Sequence, residues 1–168
     1  LILHTGDFFG GHGKNIEDAV ERLLKSWPEP QYACEGNLDT LADFGRVMSR
    51  AGVHMLNAST AVVDIRGVRV CIAGFRTGAA DAMGPALPHL LEPDAFNVVL
   101  YHHPYGFPRT WGSGAELMLA GHTHGGQIRL PWYGAMMTPG PPGKRYDYGR
   151  DRHHGRTLIV SRGRGCEP

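Results

Sequence analysis

Two histidines one residue apart, His122 and His124, lie in the stretch AGHTHGGQIRLP, between an apolar run and a pair of glycines. Imidazole is the commonest metal-binding side chain in proteins, but histidine is also an ordinary polar residue of loops. The stretch alone therefore leaves two interpretations open, a metal site at a strand end and a polar pair in a loop. If the stretch is a metal site, the rest of the chain has to supply further ligands.

Three other apolar runs also end in residues that can bind a metal ion. Asp7 lies in TGDFF, Asn37 in EGNLD and His102 in LYHHP. Each has an ordinary explanation by itself as a turn or loop residue. In α/β sheets, however, ligands bind outside the carboxyl ends of the strands. Four such strand ends together predict one metal-binding pocket.

The elements that must position these residues follow from the hydrophobic pattern. LILHTGDFFGGHG predicts a short buried strand that enters a glycine-rich loop, and NIEDAVERLLKSW predicts an amphipathic helix capped by Asn15. A second helix should end before Gly52. The further segments with a strand pattern are PQYACEGNLDT, VHMLNASTAVVDIRGVRVCIAGF with a hairpin at its central Arg-Gly, FNVVLYHHP, AELMLAGHTH and RTLIVSRGRG. We expect a mixed α/β fold in one domain over residues 1–168, with two packed sheets and helices outside.

Composition limits the function classes. Apolar residues make up 42% of the chain and charged residues 20%, as in ordinary globular proteins. A net charge of +1 predicts no nucleic-acid partner, and the arginine-rich end is expected to be a solvated face. The three cysteines form no CxxC pair, so a thiolate zinc site is not expected. GGHGKN lacks the spacing of a nucleotide P-loop. No apolar run approaches the length of a membrane span, so we expect a soluble domain, cytoplasmic or peripheral to a membrane.

TGDFF, EGNLDT, LYHHP and AGHTHGGQIRLP, in that order, resemble the later motifs of calcineurin-like metallophosphoesterases. The resemblance is strongest to the bacterial branch whose last motif reads GHTHGGQ, and it includes the closing segments YDYG and VSRGRG. It implies a four-layer α/β/β/α sandwich and the hydrolysis of phosphate esters by water activated between two metal ions. Such ions lie about 3.5–4 Å apart and lower the pKa of the water that attacks phosphorus.

The resemblance also implies roles for individual residues. Asp7 would bridge both metals, and His124 would bind the first of them. The second metal would be bound by Asn37, His102 and His122. This mixed oxygen and nitrogen shell suits Mn²⁺, with iron or zinc as alternatives. The predicted catalytic residues are Asp7, Asn37, Asp39 and His102; the predicted metal ligands are Asp7, Asn37, His102, His122 and His124; the predicted substrate-binding residues are His103 and Arg109.

The chain departs from the family pattern in two places. The family's first motif, Asp-x-His, would precede residue 1, so we expect a truncated domain that lacks the first strand. An exposed sheet edge should result, through which copies of the chain could associate. Leu38 stands where the family motif Gly-Asn-His-Asp has a histidine. The resemblance implies that this histidine protonates the leaving oxygen or stabilises the transition state, and that the following aspartate, here Asp39, orients it. A positioned general acid contributes about 10²–10⁴-fold, so we expect weakened catalysis.

Two functions are compatible with this pattern. The first is a phosphoesterase that hydrolyses a phosphomonoester or phosphodiester, with a small molecule or a lipid as the ester. The second is a non-catalytic metal-binding or interaction domain derived from a phosphoesterase. Turnover in excess metal discriminates between them, because a pure binding domain has none.

Overall fold

A computed structural model of the chain describes residues 1–9, 14–39, 44–126, 129–132, 134–135 and 143–163. The strands are β1 (Ile2–His4), β2 (Gln31–Ala33), β3 (Val53–Met55), β4 (Ser59–Ile65), β5 (Val68–Phe75), β6 (Phe96–Tyr101), β7 (Leu117–Ala120), β8 (Arg129–Leu130), β9 (Gly134–Ala135), β10 (Gly149–His153) and β11 (Arg156–Val160). The α-helices are α1 (Lys14–Lys25), α2 (Phe44–Arg50) and α3 (Ala80–Leu90), and short 3-10 helices span Pro104–Thr110, His124–Gly126 and Gly143–Tyr146.

Two sheets form the centre of the fold. The first sheet is parallel and has the strand order β1-β2-β3. The second sheet has the order β10-β11-β7-β6-β5-β4, with parallel pairing from β11 to β5 and an antiparallel strand at each edge. The carboxyl ends of β1, β2, β6 and β7 lead into the segments that carry the predicted ligands. The small hairpin β8-β9 follows them.

Three apolar cores separate four layers. Residues alternate across the sheets: in β6, Val98 and Leu100 face the first sheet, whereas Val99 and Tyr101 face α3. This period of two is the pattern of strands buried on both faces. A further core lies between the first sheet and the helices α1 and α2. The order α/β/β/α confirms the predicted sandwich.

Most element predictions are confirmed, with three differences. The strand β1 is half-buried rather than buried, because it lies at an edge of the first sheet. Asn15 is not the N-cap of α1, since the helix already includes Lys14. The helix α3 is absent from the sequence prediction because Pro85 and Pro88, which normally interrupt helices, lie inside it.

The turns agree with the prediction. The β4–β5 hairpin turns at Arg66 and Gly67, both with positive φ, as a tight two-residue hairpin requires. Gly52 has φ 77° just after α2, the backbone conformation that favours glycine at a helix end. Cys34 and Cys71 are buried and free. Arg164, Cys166, His12 and much of the loop 134–149 lie outside the described residues.

The edge strand β1 pairs only with β2 within the described part of the chain. This arrangement is compatible with the expected exposed edge, and self-association through it stays a prediction. A search of the described helices found none with the length and apolarity needed to cross a membrane.

Candidate metal centre

Close backbone packing brings the ends of β1 and β2 together. Gly6 has φ +88°, and a Cβ atom there would lie 2.5 Å from the backbone nitrogen of Gly36. A Cβ atom on Gly36 would in turn collide with the carboxylate of Asp7. Both positions therefore require glycine, for space and, at Gly6, also for conformation. Asp7 itself has φ 57°, a costly conformation for a non-glycine residue that is typical of functional sites.

Asp39 fixes this junction. Its carboxylate accepts hydrogen bonds of 2.8 Å from the backbone N–H groups of Asp7, Phe8 and Gly36. The side chain is only 2% exposed, and burial raises its pKa although the three N–H donors act in the opposite direction. Asp39 therefore positions the loop that carries Asp7.

The Asp7 carboxylate points toward the second sheet. Its Oδ1 accepts a hydrogen bond of 2.8 Å from the backbone N–H of Leu38, and its Oδ2 lies 3.1 Å from Nε2 of His102. Burial raises the pKa of this carboxyl, but the contacts with His102 and Leu38 and the nearby His122 together lower it below its usual value. The carboxylate is thus kept ionised beside two imidazoles.

His102 has a fixed orientation at the end of β6. It is 1% exposed, and its Nδ1 lies 2.6 Å from the carbonyl oxygen of Thr5. A carbonyl only accepts, so Nδ1 carries the hydrogen, and Nε2 has a free lone pair whenever the ring is neutral. That lone pair faces Oδ1 of Asn37 at 3.0 Å and the carboxylate of Asp7. Metal-binding histidines commonly donate their other ring N–H to a backbone carbonyl in this way.

Two further imidazoles complete a cluster around His102. One ring nitrogen each of His102, His103 and His122 lies within 4.8 Å of the others. Burial, with the nearby His122 and His102, lowers the pKa of His103 to about 3. His122 and His124 have φ 69° and 51°, so the backbone of this turn is left-handed at both. His124 is half-buried in the same turn and, among the described residues, belongs to no cluster of three potential ligands.

The structure therefore brings most of the predicted site residues together at the strand ends, whereas Arg109 pairs with another element and His124 belongs to no described cluster of potential ligands. Arg109, predicted to bind substrate, lies on the 3-10 helix Pro104–Thr110, and its guanidinium pairs with Asp81 of α3 at 2.7 Å. His103, also predicted to bind substrate, lies instead among the potential metal ligands. Leu38 is 38% exposed beside the carboxylate of Asp7, with no imidazole at its position.

A set of contacts that the sequence reasoning missed supports the turn 122–126 from the far side. The hydroxyl of Thr123 donates to the carbonyl of Asp147. The guanidinium of Arg162 lies 3.9 Å from the ring centre of Tyr148, and its side chain packs on Gly125, where a Cβ atom would clash. The signal was present in the segments YDYG and VSRGRG, which were recognised as motifs without a role.

Comparisons with known proteins agree with this geometry. No protein-family model matches the chain. It is 30% identical over 173 residues to the phosphodiesterase YaeI of Escherichia coli (strain K12), covering 98% of this chain and 63% of that protein. It is 43% identical over 75 residues to the uncharacterized metallophosphoesterase YkuE of Bacillus subtilis (strain 168), covering 45% of this chain and 26% of that protein. The chain thus spans less than two thirds of either relative.

Solved structures show the same fold. The sulfate thiohydrolase SoxB of Thermus thermophilus aligns over 95% of this chain and 33% of its own, with a TM-score of 0.62 and 13% identity. The NAD nucleotidase NadN of Haemophilus influenzae aligns over 96% of this chain and 39% of its own, with a TM-score of 0.58 and 14% identity. The chain is therefore similar in sequence to a phosphodiesterase along nearly its whole length and to a metallophosphoesterase along part of it, and it shares the fold of these solved structures.

Proposed function

We propose that the chain is a metal-dependent phosphoesterase, which hydrolyses a phosphomonoester or phosphodiester of a small molecule or a lipid by metal-activated water. The names of its relatives, a metallophosphoesterase and a phosphodiesterase, support this reaction class. The observation that most strongly supports a metal-dependent reaction is the environment of His102. Its Nε2 lone pair, the carboxylate of Asp7 and the amide oxygen of Asn37 converge as acceptors within 3.0–3.1 Å.

Such a set of acceptors fits a cation. A metal ion can satisfy all three acceptors at once, as a proton on Nε2 also could, whereas an amide flip of Asn37 would relieve only one of the two contacts. A second observation supports the fit: Nδ1 of His103 is buried with no hydrogen-bond partner in the described part of the chain. Buried polar atoms without a partner are rare, and an absent ion is one of their explanations.

In this proposal each residue at the strand ends has a distinct task. Asp7 would help to hold both metal ions, Asn37, His102 and His122 would hold one of them, and His124 would hold the other. Carboxylate, amide and imidazole donors suit manganese, iron or zinc. When bound, the ions would lower the pKa of a water molecule and neutralise charge on the phosphoryl oxygens.

The remaining residues prepare this site. Asp39 holds the loop so that Asp7 faces His102. The carbonyl of Thr5 keeps the Nδ1 hydrogen of His102 in place and so directs the Nε2 lone pair inward. Leu38 offers no proton to the leaving oxygen, so good leaving groups should react much faster than poor ones. His103 stays a candidate substrate or metal contact, and Arg109 stays a candidate substrate contact whose guanidinium pairs with the exposed carboxylate of Asp81.

Leu38 also favours the second candidate function, a metal-binding domain without catalysis. Hydrolysis of an aryl phosphodiester by the purified chain, with and without added Mn²⁺, separates the two. We expect turnover that requires the metal and disappears in the Asp7→Ala variant. Metal binding without turnover at any leaving group would favour the non-catalytic domain.

A further inference from the structure

His103 is buried without a polar partner. It is 7% exposed, and its Nδ1 is shielded from solvent and accepts or donates no hydrogen bond within the described residues. A buried polar atom without a hydrogen-bond partner destabilises the folded state. If His103 only filled space in the core, a phenylalanine at its position would give a more stable fold. His4 shows the ordinary alternative, because its Nε2 pairs with Gln31 at 2.9 Å.

The ring of His103 is held in one orientation by aromatic neighbours. It stacks on Tyr105 with ring centres 4.7 Å apart, and it meets the edges of His122 at 4.1 Å and His102 at 5.0 Å. The chain bends at His102, directly after β6, so that two consecutive side chains reach the same place. Pro104 restricts His103 to its extended backbone conformation. The imidazole is therefore preorganised rather than free to turn away.

We propose that His103 is a ligand of the cation bound at the strand ends, beside His102 and His122. This inference rests on the proposed function, because it uses the same metal site. The ring nitrogens of the three histidines lie within 4.8 Å of one another, so a small movement of the side chains brings them around one ion. The unpartnered nitrogen of His103 then gains a bond, which removes the cost of its burial.

A third imidazole changes which metal the site prefers. Imidazole suits zinc and iron, whereas carboxylate, carbonyl and water oxygens suit manganese. The site of Asp7, Asn37, His102 and His122 alone is half oxygen. With His103 included, nitrogen ligands predominate, so His103 should favour zinc or ferrous iron over manganese.

The test compares the affinities of two metals in matched variants. The metal-free chain is titrated with Zn²⁺ and with Mn²⁺ against a chelating dye, as wild type, as His103→Phe and as His153→Phe. Phenylalanine keeps the ring that stacks on Tyr105 and removes only the nitrogens. His153 is the control, because it is likewise an imidazole in an aromatic cluster, although half-buried, with its ring tilted against Trp111.

We expect His103→Phe to weaken zinc binding at least tenfold and manganese binding much less, while His153→Phe changes neither. X-ray absorption at one equivalent of zinc should count one imidazole fewer in His103→Phe than in wild type. His103→Ala is the second variant if the first does not fold. Equal losses for both metals, or an unchanged imidazole count, would overturn the role of His103. Failure of the wild type to bind either metal would overturn the proposed function as well.

Discussion

Two clusters of imidazole rings occur among the described residues, and their surroundings differ. The first consists of His102, His103 and His122 at the strand ends. The second consists of His153 and His154 against Trp111, on the β10–β11 hairpin at the edge of the second sheet. Ring centres lie as close in the second cluster, 4.2 Å between the two histidines, as in the first. Proximity of imidazoles therefore does not distinguish a metal site.

The surroundings of the rings make the difference. In the first cluster an ionised carboxylate, an amide oxygen and a carbonyl that fixes the tautomer of His102 are all within hydrogen-bonding distance. In the second, His154 is exposed, and no described oxygen contact fixes either ring. A metal site needs oriented lone pairs and charge as well as imidazoles.

Removal of a ligand should separate the two clusters most strongly. His122→Ala should lower metal affinity by more than the 10–100-fold that loss of an outer-shell partner costs, and should abolish phosphodiester hydrolysis. His154→Ala should change neither quantity. Isothermal titration with Mn²⁺ and initial rates measure both effects. Equal losses in the two variants would remove the distinction between the clusters.

The variant Leu38→His, which restores the histidine of the family motif, tests whether Leu38 slows catalysis. Because a general acid contributes about 10²–10⁴-fold, Leu38→His should raise the rate on esters with poor leaving groups by up to that factor. Esters with good leaving groups need no proton and should gain little. The rates for a series of aryl phosphodiesters, plotted against the pKa of the leaving phenol, measure this difference. A uniform gain along the series would contradict the general-acid explanation.

Loss of Asp39 should destabilise the loop that carries Asp7. Asp39→Ala leaves three N–H groups without their acceptor, one of them buried and two partly buried, so the free energy of unfolding should fall by about 3 kcal/mol. Asp64→Ala is the control, since this exposed aspartate accepts one N–H, from Gly67, in the β4–β5 turn. That variant should lose less than about 1 kcal/mol. Urea unfolding of the two variants provides the comparison.

A smaller effect should come from His4, a buried imidazole outside both clusters. Burial lowers its pKa, against the opposing hydrogen bond to Gln31. The unfolded chain therefore binds a proton near pH 6.5 that the folded chain binds only at lower pH. The stabilisation is complete above about pH 6.5 and declines as the pH falls below it. In His4→Leu, the free energy of unfolding measured with urea should decline less as the pH falls. An unchanged dependence on pH would contradict the contribution of His4.

The sequence predicted much of the fold because the strands are buried on both faces and so carry continuous apolar runs. The runs before Asp7, Asn37, His102 and His122 marked the strand ends correctly, and the rule for sheet edges brought them together. The sequence pattern did not predict the helix α3, because prolines inside a segment disfavour a helix. Packing of α3 on the second sheet compensates for this unfavourable propensity.

Side-chain partners were harder to predict than positions. Nothing in the doublet His102-His103 distinguishes the ring that donates to Thr5 from the ring that has no partner. Arg109 seemed suited to a phosphate, but its choice of Asp81 depends on how α3 packs. The roles of the catalytic residues and metal ligands stay predictions, for which the geometry provides support.

The most direct test of the central claim is the position of a bound metal. Crystals of the chain grown with Mn²⁺ or Zn²⁺ would give an anomalous-scattering peak at the ion. We predict a peak within bonding distance of Asp7, Asn37, His102 and His122. A peak beside His153 and His154 with none at the strand ends, or no peak at saturating metal, would contradict the account.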